Sequence, residues 1–139
     1  MRPKKERKHG LTSGIPCRIH KCVECCIETR MPLSSRDIER IVKLGFKLED
    51  FTVEEEGEVR LRNVSGRCFF LTDDGCKIYP YRPEGCRLYP LIYDERSGEF
   101  LMDTICPYRH EFKVKEEDKA KLLRLLERLS KETKTRLKR

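Results

Sequence analysis

The sequence contains no tryptophan and no glutamine, and Asn63 is its one asparagine. Heat-labile amides are nearly absent while charged residues make up 40% of the chain, a balance typical of hyperthermophilic proteins. No apolar run approaches the roughly 20 residues that a membrane-spanning helix needs. The opening MRPKKERKHG leads into LTSGIPC rather than a hydrophobic signal segment, so a cytoplasmic protein with no membrane partner is expected. Nothing in the chain resembles a Ser/His/Asp triad, a phosphate-binding Gly loop or a paired-carboxylate active site. The acidic run Glu54, Glu55, Glu56 and Glu58 reads as a solvated loop or strand edge. No internal repeat or low-complexity segment is present.

What remains is a chain of 139 residues with 37% apolar content, enough for one folded domain with a modest core. The net charge of +7 sits at the ends. Residues 1–10 and residues 131–139 each hold five Lys/Arg against one Glu, which leaves the middle at −1. Such tails favour solubility and offer nucleic acid or another anionic surface a contact.

The pattern divides the chain into a flexible basic arm at 1–14, a cysteine-cluster metal-binding domain at 15–112 and an amphipathic helix with a basic end at 113–139. A first helix is capped by Ser34 with Asp37 as its capping-box partner, carries the stripe Ile38, Ile41, Val42 and Leu44, and stops at Gly45. Short β-like runs follow at 58–64, 68–72, 88–94 and 99–104, separated by Gly-containing turns, and the last two are close enough for a hairpin. The closing helix, over 115–138, has Glu116, Glu117 and Asp118 at its start, the stripe Leu122, Leu125, Leu126 and Leu129, and basic residues at its end, as the helix dipole favours. The fold class is α+β: a small antiparallel sheet with flanking helices around a Cys-bound metal site, and a long C-terminal helix.

Eight cysteines carry the chemistry. In a reducing compartment they are metal ligands or reactive thiols before they are disulfides. Cys22-Val-Glu-Cys25 brings two thiolates onto one centre, as zinc and iron–sulfur proteins require. A redox dithiol would come with a thioredoxin-like βαβ pattern, which is missing. Cys26 follows directly, and neighbouring side chains diverge, so Cys25 and Cys26 are expected to serve different metal atoms or different partners. A multi-iron cluster satisfies this, and so do two adjacent mononuclear sites; otherwise one of the pair is an inert buried thiol. In GRCFFLTDDGCKIYPYRPEGCRLYP, tight turns present Cys68, Cys76 and Cys86. Arg82 and Arg87 flank Cys86 and can offset thiolate charge, and Tyr79 or Tyr89 can donate to a sulfur.

Taken together, Cys22-x-x-Cys25-Cys26, the capped Ser-Ser-Arg-Asp37 helix, Gly66-x-Cys68-Phe-Phe-Leu71, Gly75-Cys76-x-Ile-Tyr79, Arg82-Pro83-x-x-Cys86-Arg87-x-Tyr-Pro90 and Cys106-Pro107 resemble the CxxCxxCC family of zinc- or iron-chelating (YkgJ-like) domains. The resemblance covers roughly residues 17–107. The family name implies a cysteine three residues before Cys22, where this chain has Ile19, so Cys17 or His20 would supply that ligand. The family's flagellin lysine methylase relatives imply an iron–sulfur cluster and methyl transfer. No methyl-donor motif is present here, so methyltransferase activity is not carried over.

The resemblance implies a Cys-bound metal centre, expected as one [4Fe–4S] cluster. Cys22, Cys25, Cys26 and Cys86 are the leading ligands, with Cys17, Cys68, Cys76 and Cys106 as a second site or supporting shell. The role expected is redox or cluster-assisted, with a protein or small molecule as partner. The alternatives are a structural zinc module engaging nucleic acid or a protein partner through its basic tails, and a metal-free, disulfide-stapled domain.

Overall fold

In the computed structural model, which describes residues 8–139, short elements succeed one another until one long helix closes the chain. Strand β1 (His9–Gly10) leads through a 3-10 turn (Leu11–Ser13) to Gly14, whose φ of +66° makes the corner into α1 (Ile15–His20). Pro16 opens that helix, where its missing N–H costs nothing. A second 3-10 turn (Glu24–Cys26) precedes α2 (Ser35–Lys43). The Ser34 hydroxyl accepts from the Asp37 N–H and the Asp37 carboxylate accepts from the Ser34 N–H, so the capping box forms as expected. Of the α2 stripe, Ile41 is fully buried and Ile38 half-buried, but Val42 and Leu44 are exposed. Val42 sits about 100° around the helix from Ile41, and Leu44 is already the C-cap, so neither shares the packed face.

Helix α3 (Leu48–Phe51) buries Phe51 and runs into the hairpin β2 (Thr52–Glu55) and β3 (Glu58–Leu61), turning on Glu56 and Gly57 at positive φ. The acidic run lies on the exposed side of this hairpin. Two tiny hairpins follow, β4 (Asn63–Val64) with β5 (Arg67–Cys68), and β6 (Leu71–Thr72) with β7 (Gly75–Cys76). The run expected at 68–72 is therefore broken at Phe69-Phe70. A 3-10 turn (Tyr79–Tyr81) and α4 (Glu84–Leu88) come next. Leu88 ends this helix instead of starting a strand, and the expected hairpin forms from β8 (Leu91–Asp94) and β9 (Glu99–Met102). Strand β10 (Phe112–Lys113) leads into α5 (Glu116–Leu137), within one residue of the helix the sequence predicts.

The class is α+β, as the sequence indicates, but the strands do not join into one sheet. Among the described residues they make five two-stranded ladders, four antiparallel and one parallel, the last pairing β1 with β10. Part of the expected arm, residues 1–7, lies outside the described residues. The rest of it, from residue 9 onward, is built into the fold, because Leu11 is only 2% exposed and packs with Phe112.

Two apolar cores result. Leu33, Ile41, Phe51, Leu61 and Phe70 anchor the first; Leu11, Leu88, Leu91, Phe112 and Leu125 anchor the second. Helix α5 touches both halves. Leu122 and Leu125 fill the second core, Glu132 accepts from the Ser35 N–H at 2.6 Å, and Arg136 donates to the Gly57 carbonyl at 3.1 Å. Cys68 is buried in the first core with Cys26, Cys76 and Cys86 against it, and Cys106 is buried in the second with Cys17 against it. The thiols therefore lie where the two cores meet. No helix among the described residues is long and apolar enough to cross a membrane.

Candidate metal centre

All eight cysteines line one cavity of about 520 Å³ at that seam. The local sequence explains how each arrives. Cys17 is on α1; Lys21, left-handed at φ 51°, ends that helix and lets the Cys22 N–H donate to the Cys17 carbonyl at 2.9 Å, which folds Cys22 back beneath Cys17. Cys25 and Cys26 ride on the Glu24–Cys26 turn. Cys68 ends β5 and Cys76 ends β7, directly after the Asp73-Asp74-Gly75 reversal. Cys86 is presented by α4, which can approach closely because Gly85 has no side chain: a Cβ there would lie 2.3 Å from the Met31 sulfur. Cys106 follows β9 in the stretch leading to Pro107.

All eight are free thiols, so the disulfide-stapled alternative finds no bridge here. Cys25 is exposed at the cavity mouth, and Cys68 and Cys106 are buried. Among the described residues, no three His, Cys, Asp or Glu side chains converge closely enough to hold a single metal ion. The thiols surround a space instead of meeting at a point.

Cys25 and Cys26 differ in their surroundings, Cys25 exposed and Cys26 half-buried. Both thiols ride on the tight 3-10 backbone, and the neighbouring Cys26 thiol is the main reason that the Cys25 pKa is lowered to about 7. Cys26 itself is pushed far up, first by its Cys25 neighbour and then by burial. Burial is the leading cause for the others: it raises Cys17 and Cys68 to about 11 and also lifts Cys22, Cys76, Cys86 and Cys106. Cys25 is the one thiol whose pKa is lowered, and its negative charge adds to the rise at each of the other seven.

Of the two flanking arginines, only Arg82 lines the thiol cavity. Its positive charge lowers the pKa of Cys17, Cys25, Cys76 and Cys86. The guanidinium lies 4.1 Å from the centre of the Tyr79 ring and donates to the Thr12 carbonyl, while its Nε is buried with no partner among the described residues. Arg87, one step around α4, points away and donates to the Pro80 carbonyl at 3.1 Å. Neither tyrosine is free to donate to sulfur as expected, because each hydroxyl proton is already committed. Tyr79 donates to the Gly14 carbonyl at 2.9 Å and Tyr89 to Asp103 at 2.7 Å.

The structure also separates the two stand-ins for the missing family cysteine. Cys17 lines the cavity, whereas His20 does not: its ring stacks on Tyr108 at 3.8 Å and its Nε2 meets the Glu111 carboxylate at 2.8 Å. Gly14 is a site residue that the sequence reading missed. A Cβ at that position would fall 1.7 Å from the Tyr79 hydroxyl, so the wall carrying Tyr79 and Arg82 closes only over a bare α-carbon. The only sequence signal for it was a Gly before Ile-Pro-Cys.

The donor set fits a thiolate-bound metal or cluster. Eight soft sulfur donors face one space, a cation stands at its wall, and that cation keeps one buried N–H unpaired. Comparison with known proteins agrees. A protein of Methanocaldococcus jannaschii described as uncharacterized is 30% identical over 110 residues, 73% of this chain; the chain spans 59% of that relative's length. No solved structure matches. The family model CxxCxxCC, described as a "putative zinc- or iron-chelating domain", matches residues 16–121, from the start of α1 into α5, and takes in every cysteine of the cavity. The chain belongs to the CxxCxxCC family.

Proposed function

We propose that the thiol cavity holds a [4Fe–4S] cluster and that the protein has a redox or cluster-assisted role toward a protein or small-molecule partner. The observation that carries this reading is the number and arrangement of the sulfurs: eight free thiols line one cavity, whereas a single tetrahedral ion requires four meeting at one point. A cluster relaxes that requirement because its ligands attach to separate corners. Cys22, Cys25, Cys26 and Cys86 are the proposed ligands, with Cys17, Cys68, Cys76 and Cys106 as the supporting shell or a second set.

When bound, such a cluster supplies one-electron transfer at a potential tuned by its surroundings. The chain's own residues set those surroundings. Arg82 offsets thiolate charge, the two apolar cores keep water from Cys68 and Cys106, and the exposure of Cys25 leaves one corner within reach of a partner. The test is anaerobic purification followed by iron, sulfide and zinc analysis and a visible spectrum. Iron with matching acid-labile sulfide and a brown colour that bleaches in air is expected. A colourless protein with stoichiometric zinc would overturn the reading in favour of a structural zinc module.

A further inference from the structure

A second cavity, of about 650 Å³, backs onto the thiol site and has the opposite character. Arg18, Arg36, Arg82 and Arg87 line one side of it, and Lys121, Arg124 and Arg128 line the other, from one face of α5. The single carboxylate in the lining is Glu84, and it is taken by Arg128 at 3.5 Å; Lys121 has Glu117 at 3.4 Å. Among the described residues, Arg18, Arg36, Arg82, Arg87 and Arg124 form no ion pair with any carboxylate. Thr12 and Ser13 add hydroxyls at the rim.

Seven cations drawn from four parts of the chain repel one another, and among the described residues the fold gathers five of them without an acidic partner to compensate. The chain does not lack acidic residues: its Glu and Asp are spent elsewhere, in the β2–β3 hairpin and along the far turns of α5. Arginine predominates, and its planar fork of donors matches phosphate oxygens two at a time.

We propose that this cavity is a binding site for a compact polyphosphate, an ion carrying two or more linked phosphate groups. Its volume falls in the range of small-molecule sites, and its cations converge on one hollow instead of tracking a long surface, as a nucleic-acid backbone would need. The one aromatic ring in the described lining, Tyr79, is already stacked by the Arg82 guanidinium, which leaves a base less to stack on. Arg18, Tyr79 and Arg82 line both cavities, so the anion would sit against the same wall that faces the thiols.

The test is calorimetric titration of the metal-loaded full chain with inorganic tripolyphosphate at about 100 mM salt, alongside inorganic phosphate and a single-stranded RNA oligonucleotide. Tripolyphosphate is expected to bind one per chain and more tightly than phosphate. Arg36→Glu and Arg124→Glu, both exposed and outside the thiol cavity, should each weaken it by about tenfold or more while leaving metal content, visible spectrum and melting temperature unchanged. Absence of tripolyphosphate binding, or binding that neither variant alters, would overturn the proposal. Tighter RNA binding lost in the same variants would overturn it too, assigning the cavity to nucleic acid. The inference does not depend on which metal the thiols hold, so a zinc result leaves it standing, and its failure leaves the metal reading untouched.

Discussion

Arg82 and Gly14 are two residues of one wall, and each makes the other's position necessary. The guanidinium lies over Tyr79, whose hydroxyl donates to the Gly14 carbonyl, and the space that a Cβ would need at Gly14 is already full. Gly14→Ala is expected to lower stability by about 1–3 kcal/mol, through the left-handed backbone and the clash together, as read by urea denaturation. Arg82→Met keeps most of the packed stem and removes the charge. If the cavity holds the proposed cluster, its reduction potential should then move to more negative values, on the order of tens of millivolts, because the more negative reduced state loses more from it. A redox titration giving an unchanged potential would remove Arg82 from the site. At this scale the sequence was half legible. The cysteines and Arg82 stood out because their chemistry is distinctive, but whether a tyrosine hydroxyl is free depends on a carbonyl that arrives from far along the chain.

Among the elements, α2 and α4 are tied through one carboxylate. Asp37 is fully buried and accepts from the Ser34 N–H at 3.1 Å, from the Glu84 N–H at 3.0 Å and from Arg40 at 2.7 Å. Asp37→Ala leaves buried donors unsatisfied and should cost about 3 kcal/mol, measured by chemical denaturation. Because Glu84 opens the helix that presents Cys86, the same variant should release its metal faster to a chelator than wild type does. The capping box, the Leu stripe of α5 and the β8–β9 hairpin were readable because their determinants lie within a few residues of one another. The β1–β10 pairing was not, since two residues on each side carry no pattern of their own and only Leu11 and Phe112, meeting in the second core, bring them together. The basic row Lys121, Arg124 and Arg128 on α5 went unread in the sequence, because what gives it meaning is its partners on α1, α2 and α4.

For the molecule as a whole, burial disfavours the thiolate form of the cysteines, the form that a bound metal requires. In the metal-free chain, burial holds Cys17 and Cys68 protonated by raising each from the usual 9.0 to about 11. A raised folded pKa contributes stability that is fully present below pH 9 and is lost as pH climbs toward 11. The melting temperature of the stripped protein should therefore drop across that window. The loaded protein should depend on pH in the opposite sense, losing metal on acidification, because protons compete for the thiolates. A stripped protein with a flat profile from neutral pH to the top of that window would argue that these thiols are not buried in solution. The central claim, that sulfurs as far apart in sequence as Cys22 and Cys86 share one metal centre, is tested most directly by cysteine-resolved alkylation and mass spectrometry of the protein as purified anaerobically and after chelation. Protection of Cys22, Cys25, Cys26 and Cys86 in the loaded state, lost together in the stripped one, is the predicted result; exposed Cys25 labelling equally in both states would contradict it.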